Sequence, residues 1–522
     1  MPRKPAPSTT SLLARLDPGD SLPLHRQLYE EIRGAIVRGV LAPGERIPSS
    51  RGLAEDLRVS RTTVLQALDQ LRAEGYLSSL VGSGTRVADV LPESLTRVGV
   101  PSAPAADGPP GSLSRRGEAV AGIPRAVFRA GAEPRAFRLG IPGLDLFPRK
   151  LWNRLLIRRA RLTSVPELDY GRPGGLPALR ETIAAYVASA RGVRCRPEQV
   201  IVVGGVQHGV AFAARLLLDP GDAAWLEEPG YLAVRSALTA ASARIVPVRV
   251  DEEGIDVAEG KRRAPDARLV CITPSHQYPL GVTMSLQRRL MLLEWAREAN
   301  AWIVEDDYDS EFRYGSRPLM AVHGLEGGSR VIYLGTFSKS VFPSLRIGFL
   351  VVPENLVEAF SRAALYTEQN PGTLQQLVLA DFIREGHFGR HLRRMRRAYE
   401  ERQNLLIDEV RRELRDVITL RSANAGLHLV AHLPPHLADV AVARAALACG
   451  VEVSPLSTHY LAPNPGNGLL LGFAAADAPE IGAGVHRLKQ AIATVRREAG
   501  APAASGLPIR SASGTGTQPR SR

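Results

Sequence analysis

Between residues 136 and 498, short β-rich runs alternate with long amphipathic segments, and this alternation limits what the chain can fold into more than any other feature. Val200-Ile201-Val202-Val203, Trp302-Ile303-Val304 and Val331-Ile332-Tyr333-Leu334 are short and rich in β-branched and aromatic residues. The helix-length stretches between such runs predict an α/β fold around a mostly parallel sheet. The whole chain has 522 residues, too many for one ordinary domain. A break is expected at 91–135, where VGVPSAPAADGPPGSLSRRG is too poor in periodic apolar residues to pack a core and predicts a flexible linker. The expected division is a flexible N-terminus (1–19), a small module (20–90), the linker (91–135), the α/β module (136–498) and a disordered tail (499–522).

Composition removes several classes of function. Cys195, Cys271 and Cys449 are odd in number and far apart, so neither a disulfide framework nor a cysteine metal site is expected, and a reducing, cytoplasmic location fits. No metal site is expected from other residues. No apolar core follows the basic start Met1-Pro2-Arg3-Lys4, and no run of eighteen apolar residues occurs, which argues against secretion and membrane spanning. The net charge of +13 permits a polyanionic partner. Yet residues 1–98 hold 13 Lys and Arg against 11 Asp and Glu, so bulk charge alone does not mark the small module as a nucleic-acid binder.

Its pattern says more. Leu24, Leu28, Ile32, Ala35 and Ile36 fall at helical spacing in Leu24–Arg38, and Gly39 and Pro43-Gly44 end the helix. A second helix is expected over Ser50–Leu57 and a third over Arg61–Glu74, with Ser60 as N-cap. The third would bury Val64, Ala67, Leu68 and Leu71 and leave Arg61, Thr62, Thr63 and Gln66 exposed, able to meet base edges and phosphates in a major groove. Tyr76–Ala88 reads as two strands joined through Gly82-Ser83-Gly84, a wing beside the helices. The strings Leu41-Ala42-Pro43-Gly44-Glu45-Arg46-Ile47-Pro48-Ser49-Ser50-Arg51, Val59-Ser60-Arg61-Thr62-Thr63-Val64 and Gly82-Ser83-Gly84-Thr85 resemble the GntR winged helix-turn-helix domain. That resemblance implies double-stranded DNA as partner. Arg51 and Arg61 would contact it, supported by Ser60, Thr63 and Gln66, with Gly84 letting the wing approach the minor groove.

In the large module, Ser338-Lys339 follows the Val331–Leu334 run through Gly335-Thr336-Phe337, and Glu305-Asp306-Asp307-Tyr308-Asp309 follows Trp302–Val304. Both groups sit at strand ends, where open α/β sheets build their sites. A lysine amine can form a Schiff base with an aldehyde. Pyridoxal 5'-phosphate then needs a carboxylate for its pyridine nitrogen, a donor for its ring oxygen and donors for its phosphate. Asp306, Tyr308 and Arg346 are candidates for the three tasks. Gly204-Gly205-Val206-Gln207 opens a helix whose free N–H groups suit a phosphate, and Tyr231 offers a face for stacking.

Together these elements resemble the fold-type I (aspartate aminotransferase) family from about Leu139 to Val495. The resemblance implies that Tyr170 reaches the neighbouring subunit's phosphate and that the protein is a dimer. Two departures stand out. Tyr278, in Ser275-His276-Gln277-Tyr278-Pro279, replaces an asparagine that partners the ring oxygen. Leu470, in Leu469-Leu470-Leu471-Gly472-Phe473, stands where an arginine clamps a substrate carboxylate, which a leucine cannot do. Arg421 or Arg172 could take over that role. The cluster Arg390, Arg393, Arg394 and Arg397 falls on one helical face, open to solvent or to DNA phosphates.

A GntR-like head, a linker and an aminotransferase-like domain in this order resemble the MocR/GabR-type regulators. The resemblance implies a cytoplasmic, PLP-binding transcriptional regulator, not an enzyme, sensing PLP, an amine or an amino acid through an aldimine at Lys339. It also implies a homodimer, head-to-tail and domain-swapped through the linker. A genuine aminotransferase with an appended DNA-binding domain is the alternative, and a dimerisation scaffold without cofactor is a third.

Overall fold

The structure, a computed structural model, describes residues 16–17, 19–80, 84–89, 112–124, 136–169, 171–314, 319–367, 371–420, 423–463 and 465–500. It divides into two units, Met1–Ser112 and Leu113–Arg522.

In the first unit, α1 (Leu24–Val37), α2 (Ser50–Asp56) and α3 (Arg61–Ala73) precede an antiparallel hairpin of β1 (Leu77–Leu80) and β2 (Gly84–Val87). Serine caps fix where α2 and α3 begin. Ser49 Oγ accepts from the Gly52 N–H and Ser60 Oγ from the Thr63 N–H, each satisfying a donor that the first turn leaves open. The predicted stripe of α3, Val64, Ala67, Leu68 and Leu71, is buried against Leu28, Ile32 and Ile36 of α1 and Leu53 of α2. One part of the expected flexible N-terminus differs. Leu16 packs on this core, and Asp17 exchanges two 2.9 Å hydrogen bonds with Gln27, because a leucine and an amide acceptor there find partners on α1.

The second unit is built on an eight-stranded sheet. Its strands are β3 (Val200–Val203), β4 (Ala223–Glu228), β5 (Arg244–Asp251), β6 (Gly254–Ile255), β7 (Leu269–Ile272), β8 (Trp302–Asp307), β9 (Val331–Thr336) and β10 (Gly348–Val351). They lie in the order β3-β10-β9-β8-β7-β4-β5-β6, with β5, β4, β7, β8 and β9 mutually parallel and β10 and β6 antiparallel to their neighbours. Alternate residues of β3 enter different cores, Val200 and Val202 one, Ile201 and Val203 another, as the two-residue period of a sheet covered on both faces requires. A smaller antiparallel sheet, order β11-β12-β14-β13, comprises β11 (Thr419–Leu420), β12 (His428–His432), β13 (Ser454–Pro455) and β14 (Gly468–Gly472), with the helices His387–Leu414 and Ala478–Gly500 beside it.

Two expected boundaries shift. The stretch read as linker contains the helix Arg115–Ala121, which packs on the helix Leu232–Ala240. Ser114 caps it by accepting from the Gly117 N–H at 3.0 Å, a local signal that the Pro- and Gly-rich flanks obscure. The last helix runs to Gly500, slightly past the expected end of the module at 498. The rest of the linker, residues 91–111 and 125–135, and the tail from 501 lie outside the described residues. No helix among the described residues is long and apolar enough to cross a membrane.

Candidate functional site

On the first unit, Arg51, Ser60, Arg61, Thr62 and Gln66 are exposed along the starts of α2 and α3, and Thr63 is half-buried. Ser60 and Thr63 also join through their hydroxyls at 2.8 Å, so both serve the cap before anything else. Gly84 opens β2 with φ +85°. A Cβ there would lie 3.0 Å from Arg46 Nε, so glycine both adopts the turn and lets the Arg46 guanidinium lie beside the wing. Arg46, part of the motif quoted above, pairs with Arg86 of β2 from outside the hairpin and so brings a second cation to the wing. Gly82 and Ser83 lie outside the described residues.

On the second unit, the strand β8 continues through Asp307, further than the apolar run alone suggested, because Glu305, Asp306 and Asp307 all find buried settings. Glu305 accepts from the N–H groups of Val322 and His323, and Asp307 from Arg191 and Tyr333. Asp306 differs from both neighbours in accepting no hydrogen bond on its carboxylate among the described residues; its Oδ1, like the Oδ1 of Asp307, is buried without a partner. Burial, reinforced by repulsion from Asp307 and Asp309, holds its carboxyl well above the ordinary range, and the Lys339 ammonium opposes that shift.

Lys339 stands three residues beyond β9, half-buried, its Nζ donating to the Gly140 carbonyl at 2.9 Å. Burial lowers its pKa while Asp309 and Asp306 pull it back up, so the amine is closer to its nucleophilic form than an exposed lysine. Ser338 donates its N–H to Thr336 Oγ1, which shapes the turn that presents the lysine. Across the β3 end, Gly205 has φ +108° and caps the helix Val206–Leu217; Val206 is half-buried and Gln207 exposed at its first turn. Arg346, in the left-handed conformation at φ +52°, places its guanidinium within 3.9 Å of where a Gly205 Cβ would be. Free N–H groups and a cation therefore share one rim, the arrangement that suits a phosphate.

The aromatic walls are Tyr231, Tyr278 and Tyr308. Tyr231 and Tyr278 meet edge to face at 5.3 Å, and Tyr278 and Tyr308 at 6.1 Å. Tyr231 feels the charges of both Asp306 and Arg346; burial and the Asp306 charge push its phenol up to about 12 while Arg346 opposes them. Burial and the nearby Asp309 raise the Tyr308 phenol well above its ordinary range as well. His276 carries no signal of its own in the sequence, yet its Nδ1 lies 2.9 Å from the Tyr308 hydroxyl and 3.0 Å from Asp309 Oδ2, joining the run Ser275–Pro279 to the run Glu305–Asp309.

Leu470 lies on β14, fully buried with Val430 and Leu456, and Leu139, Tyr278, Leu280 and Tyr460 pack around them. The side of the site next to Tyr278 is thus an apolar plug. Arg172 lines a cleft of about 510 Å³ with Gly171, Thr373 and Gln376, apart from the Leu470 cluster. Arg421 and Tyr170 lie outside the described residues. Arg390, Arg393, Arg394 and Arg397 are exposed on the helix His387–Leu414, with Arg394 donating to the Leu146 carbonyl.

The lysine, the partnerless carboxyl, the phenols and the anion rim fit pyridoxal phosphate in every group it requires. No group of three or more metal-binding side chains occurs among the described residues.

Comparison with known proteins places these sites in context. Residues 24–87 match the bacterial regulatory proteins of the gntR family, and residues 154–488 match aminotransferase class I and II. The chain is 44% identical to the probable rhizopine catabolism regulatory protein MocR of Rhizobium meliloti, over 93% of this chain and 97% of that protein. It is 32% identical to the pyridoxine biosynthesis transcriptional regulator PdxR of Corynebacterium glutamicum, over 88% and 94%. Among solved structures, the α-aminoadipate aminotransferase LysN of Thermus thermophilus, complexed with N-(5'-phosphopyridoxyl)-L-leucine, superposes with TM-score 0.64 at 28% identity, covering 69% of this chain and 92% of that one.

Proposed function

Because this chain belongs to the MocR-type branch of the GntR regulators, a winged helix-turn-helix joined to an aminotransferase class I and II domain, we propose that it regulates transcription by holding pyridoxal 5'-phosphate at Lys339 and reading an effector there. The observation that carries the reading is the partnerless Asp306 Oδ1 at the end of β8, next to the Lys339 amine beyond the parallel strand β9. A buried carboxyl without a partner is costly unless a ligand supplies one, and a protonated pyridine nitrogen is such a partner.

Bound there, pyridoxal phosphate supplies an aldehyde that condenses with primary amines. The chain's own residues do the rest. Arg346 and the N–H groups after Gly205 hold the phosphate, Tyr231 covers a face of the ring, Asp306 keeps the ring nitrogen protonated, and Tyr308 donates toward the ring oxygen. Ser338, Val206, Gln207 and Tyr278 complete the lining, and Tyr170 serves the phosphate of the neighbouring subunit in a homodimer. Arg51, Arg61, Thr62, Thr63 and Gln66 read operator DNA, with Ser60 holding the start of the reading helix and Gly84 the wing. The effector, PLP itself or an amine, alters DNA affinity to the extent that it binds one arrangement of the dimer better than the other.

Leu470 supports regulation rather than turnover, since its apolar surroundings offer nothing to a carboxylate. We place the protein in the cytoplasm. The test is a gel shift with its own promoter, titrated with PLP and with a panel of amines, beside borohydride labelling of Lys339. Effector-independent binding together with sustained transamination would favour an enzyme instead.

A further inference from the structure

His276 sits in the loop after β7, and its Nδ1 faces two oxygens, Tyr308 Oη at 2.9 Å and Asp309 Oδ2 at 3.0 Å. Both His276 and Asp309 are only 1% exposed. A carboxylate can only accept a hydrogen bond, and an imidazole nitrogen without its hydrogen would face it lone pair to lone pair. The hydrogen of the ring therefore belongs on Nδ1, where it donates to Asp309 and to the Tyr308 oxygen together. Tyr308 then acts as acceptor toward His276, and its own hydroxyl hydrogen is left to point elsewhere. Were Nδ1 bare, Tyr308 would donate to it, and its hydrogen would be spent on the His276 ring.

The seating of the ring agrees. His276 Nε2 is buried with no hydrogen-bond partner among the described residues, so that end of the ring is held by shape. A Cβ on Gly426 would lie 2.0 Å from His276 Cε1, and one on Gly281 3.1 Å from Nε2; both glycines have positive φ. The ring is thus clamped between two backbone segments with one nitrogen aimed at Tyr308 and Asp309. The charged and titratable groups facing this pair are Asp306, Tyr278 and Glu227 toward Tyr308, Lys339, Arg313 and Tyr314 toward Asp309, and His428, whose ring is 5.3 Å from that of His276.

We propose that His276 is a positioning residue: anchored by Asp309, it directs the hydroxyl hydrogen of Tyr308 into the cofactor site. The inference rests on the reading of Lys339 and Tyr308 given above. It also assigns a task to the loop in which Tyr278 replaces the expected asparagine, since that loop still serves the ring oxygen, through His276 and Tyr308.

The experiment uses the full-length, PLP-loaded protein and follows its visible band against pH. Tyr308→Phe removes a donor from the ring oxygen, so the proton beside that oxygen is held more tightly and the midpoint rises. His276→Leu is expected to move it in the same direction by about one pH unit, roughly ten-fold in proton affinity. The double variant is expected to add nothing, and His276→Asn, which restores an N–H at the same place, to return most of the shift. A His276→Leu midpoint equal to wild type, with Lys339 still labelled by borohydride, overturns the proposal. Should the variant not fold, ¹⁵N spectra of histidine in the wild-type protein decide: an Nδ1–H tautomer at His276 supports the proposal and an Nε2–H tautomer overturns it. A wild-type protein that takes up no PLP fails the parent reading instead, and the tautomer still reports on the network by itself.

Discussion

Arg191 and Asp307 form a buried ion pair, Arg191 Nε donating to Asp307 Oδ2 at 2.6 Å with both side chains at most 3% exposed. Tyr333 donates to the same oxygen at 2.5 Å, and a second guanidinium nitrogen of Arg191 reaches Ser275 Oγ at 2.8 Å. Of two consecutive carboxyls at the end of β8, Asp307 is thus held through one oxygen by the scaffold, while Asp306 accepts no hydrogen bond among the described residues. The pair also ties the helix Pro177–Arg191 to the loop that carries His276.

Arg191→Met leaves Asp307 buried without its cation. Removing one partner of such a pair typically costs about 3–5 kcal/mol. Urea unfolding of the cofactor-free protein is expected to show a loss of that order. A loss below about 1 kcal/mol would mean that Tyr333 alone satisfies Asp307.

Asp306 carries the opposite expectation. Its carboxyl keeps its proton in the folded, cofactor-free protein well above the 3.8 of an exposed aspartate, so folding retains a proton that the unfolded chain has released. Stability is therefore fully present below about pH 3.8 and is lost as the pH rises toward the folded value. Asp306→Asn removes this dependence, because an amide does not ionise, and is expected to stabilise the cofactor-free protein at neutral pH by removing the cost of charging a buried carboxyl. The same change weakens PLP retention. Thermal unfolding with and without PLP checks both: the wild type gains stability on loading, and the variant gains less from a higher start.

These two carboxyls show what the sequence does and does not reveal. The run Glu305 to Asp309 marks a strand end rich in acid, and Val64, Ala67, Leu68 and Leu71 mark a buried helix face, because each is a local pattern with a fixed period. That Asp307 is answered by Arg191, or Asp309 by His276, depends on where β7, β8 and a distant helix end come together. No spacing along the chain encodes it. The helix Arg115–Ala121 escaped notice for another reason: seven residues flanked by Pro- and Gly-rich sequence give too few turns for a periodic signal, and only packing on another helix holds so short a segment.

Arg61 is exposed at the first position of α3, next to the Ser60 cap. Arg61→Ala leaves both the cap and the buried face intact, so the fold of the first unit is expected to stay as it is. Loss of one arginine that reads a base edge is worth about 1–3 kcal/mol, roughly five- to 150-fold in operator affinity. Footprinting measures this, and the visible band of the PLP-loaded protein is expected to be unchanged. Equal footprints for variant and wild type would take Arg61 out of the reading surface.

The packing of the helix Arg115–Ala121 on the helix Leu232–Ala240 gives a testable expectation about how an effector is felt along the chain. Tyr231, a wall of the cofactor site, is also the N-cap of the helix Leu232–Ala240, and on that helix the Arg115–Ala121 segment packs, with Gly117 and Val120 half-buried. A ligand that moves the Tyr231 ring is therefore expected to be felt at the first turn of the helix that carries the segment. Val120→Lys places a charge at a half-buried position of that short helix and leaves the residues assigned to the cofactor and to DNA unchanged. PLP uptake and operator affinity without effector are expected to match wild type. The difference that the effector makes to operator affinity, worth about 1–3 kcal/mol in coupled systems, is expected to shrink toward zero. Gel shifts of both proteins with and without effector separate the two quantities. A variant that keeps the full effector response would show that the signal leaves the site by another element.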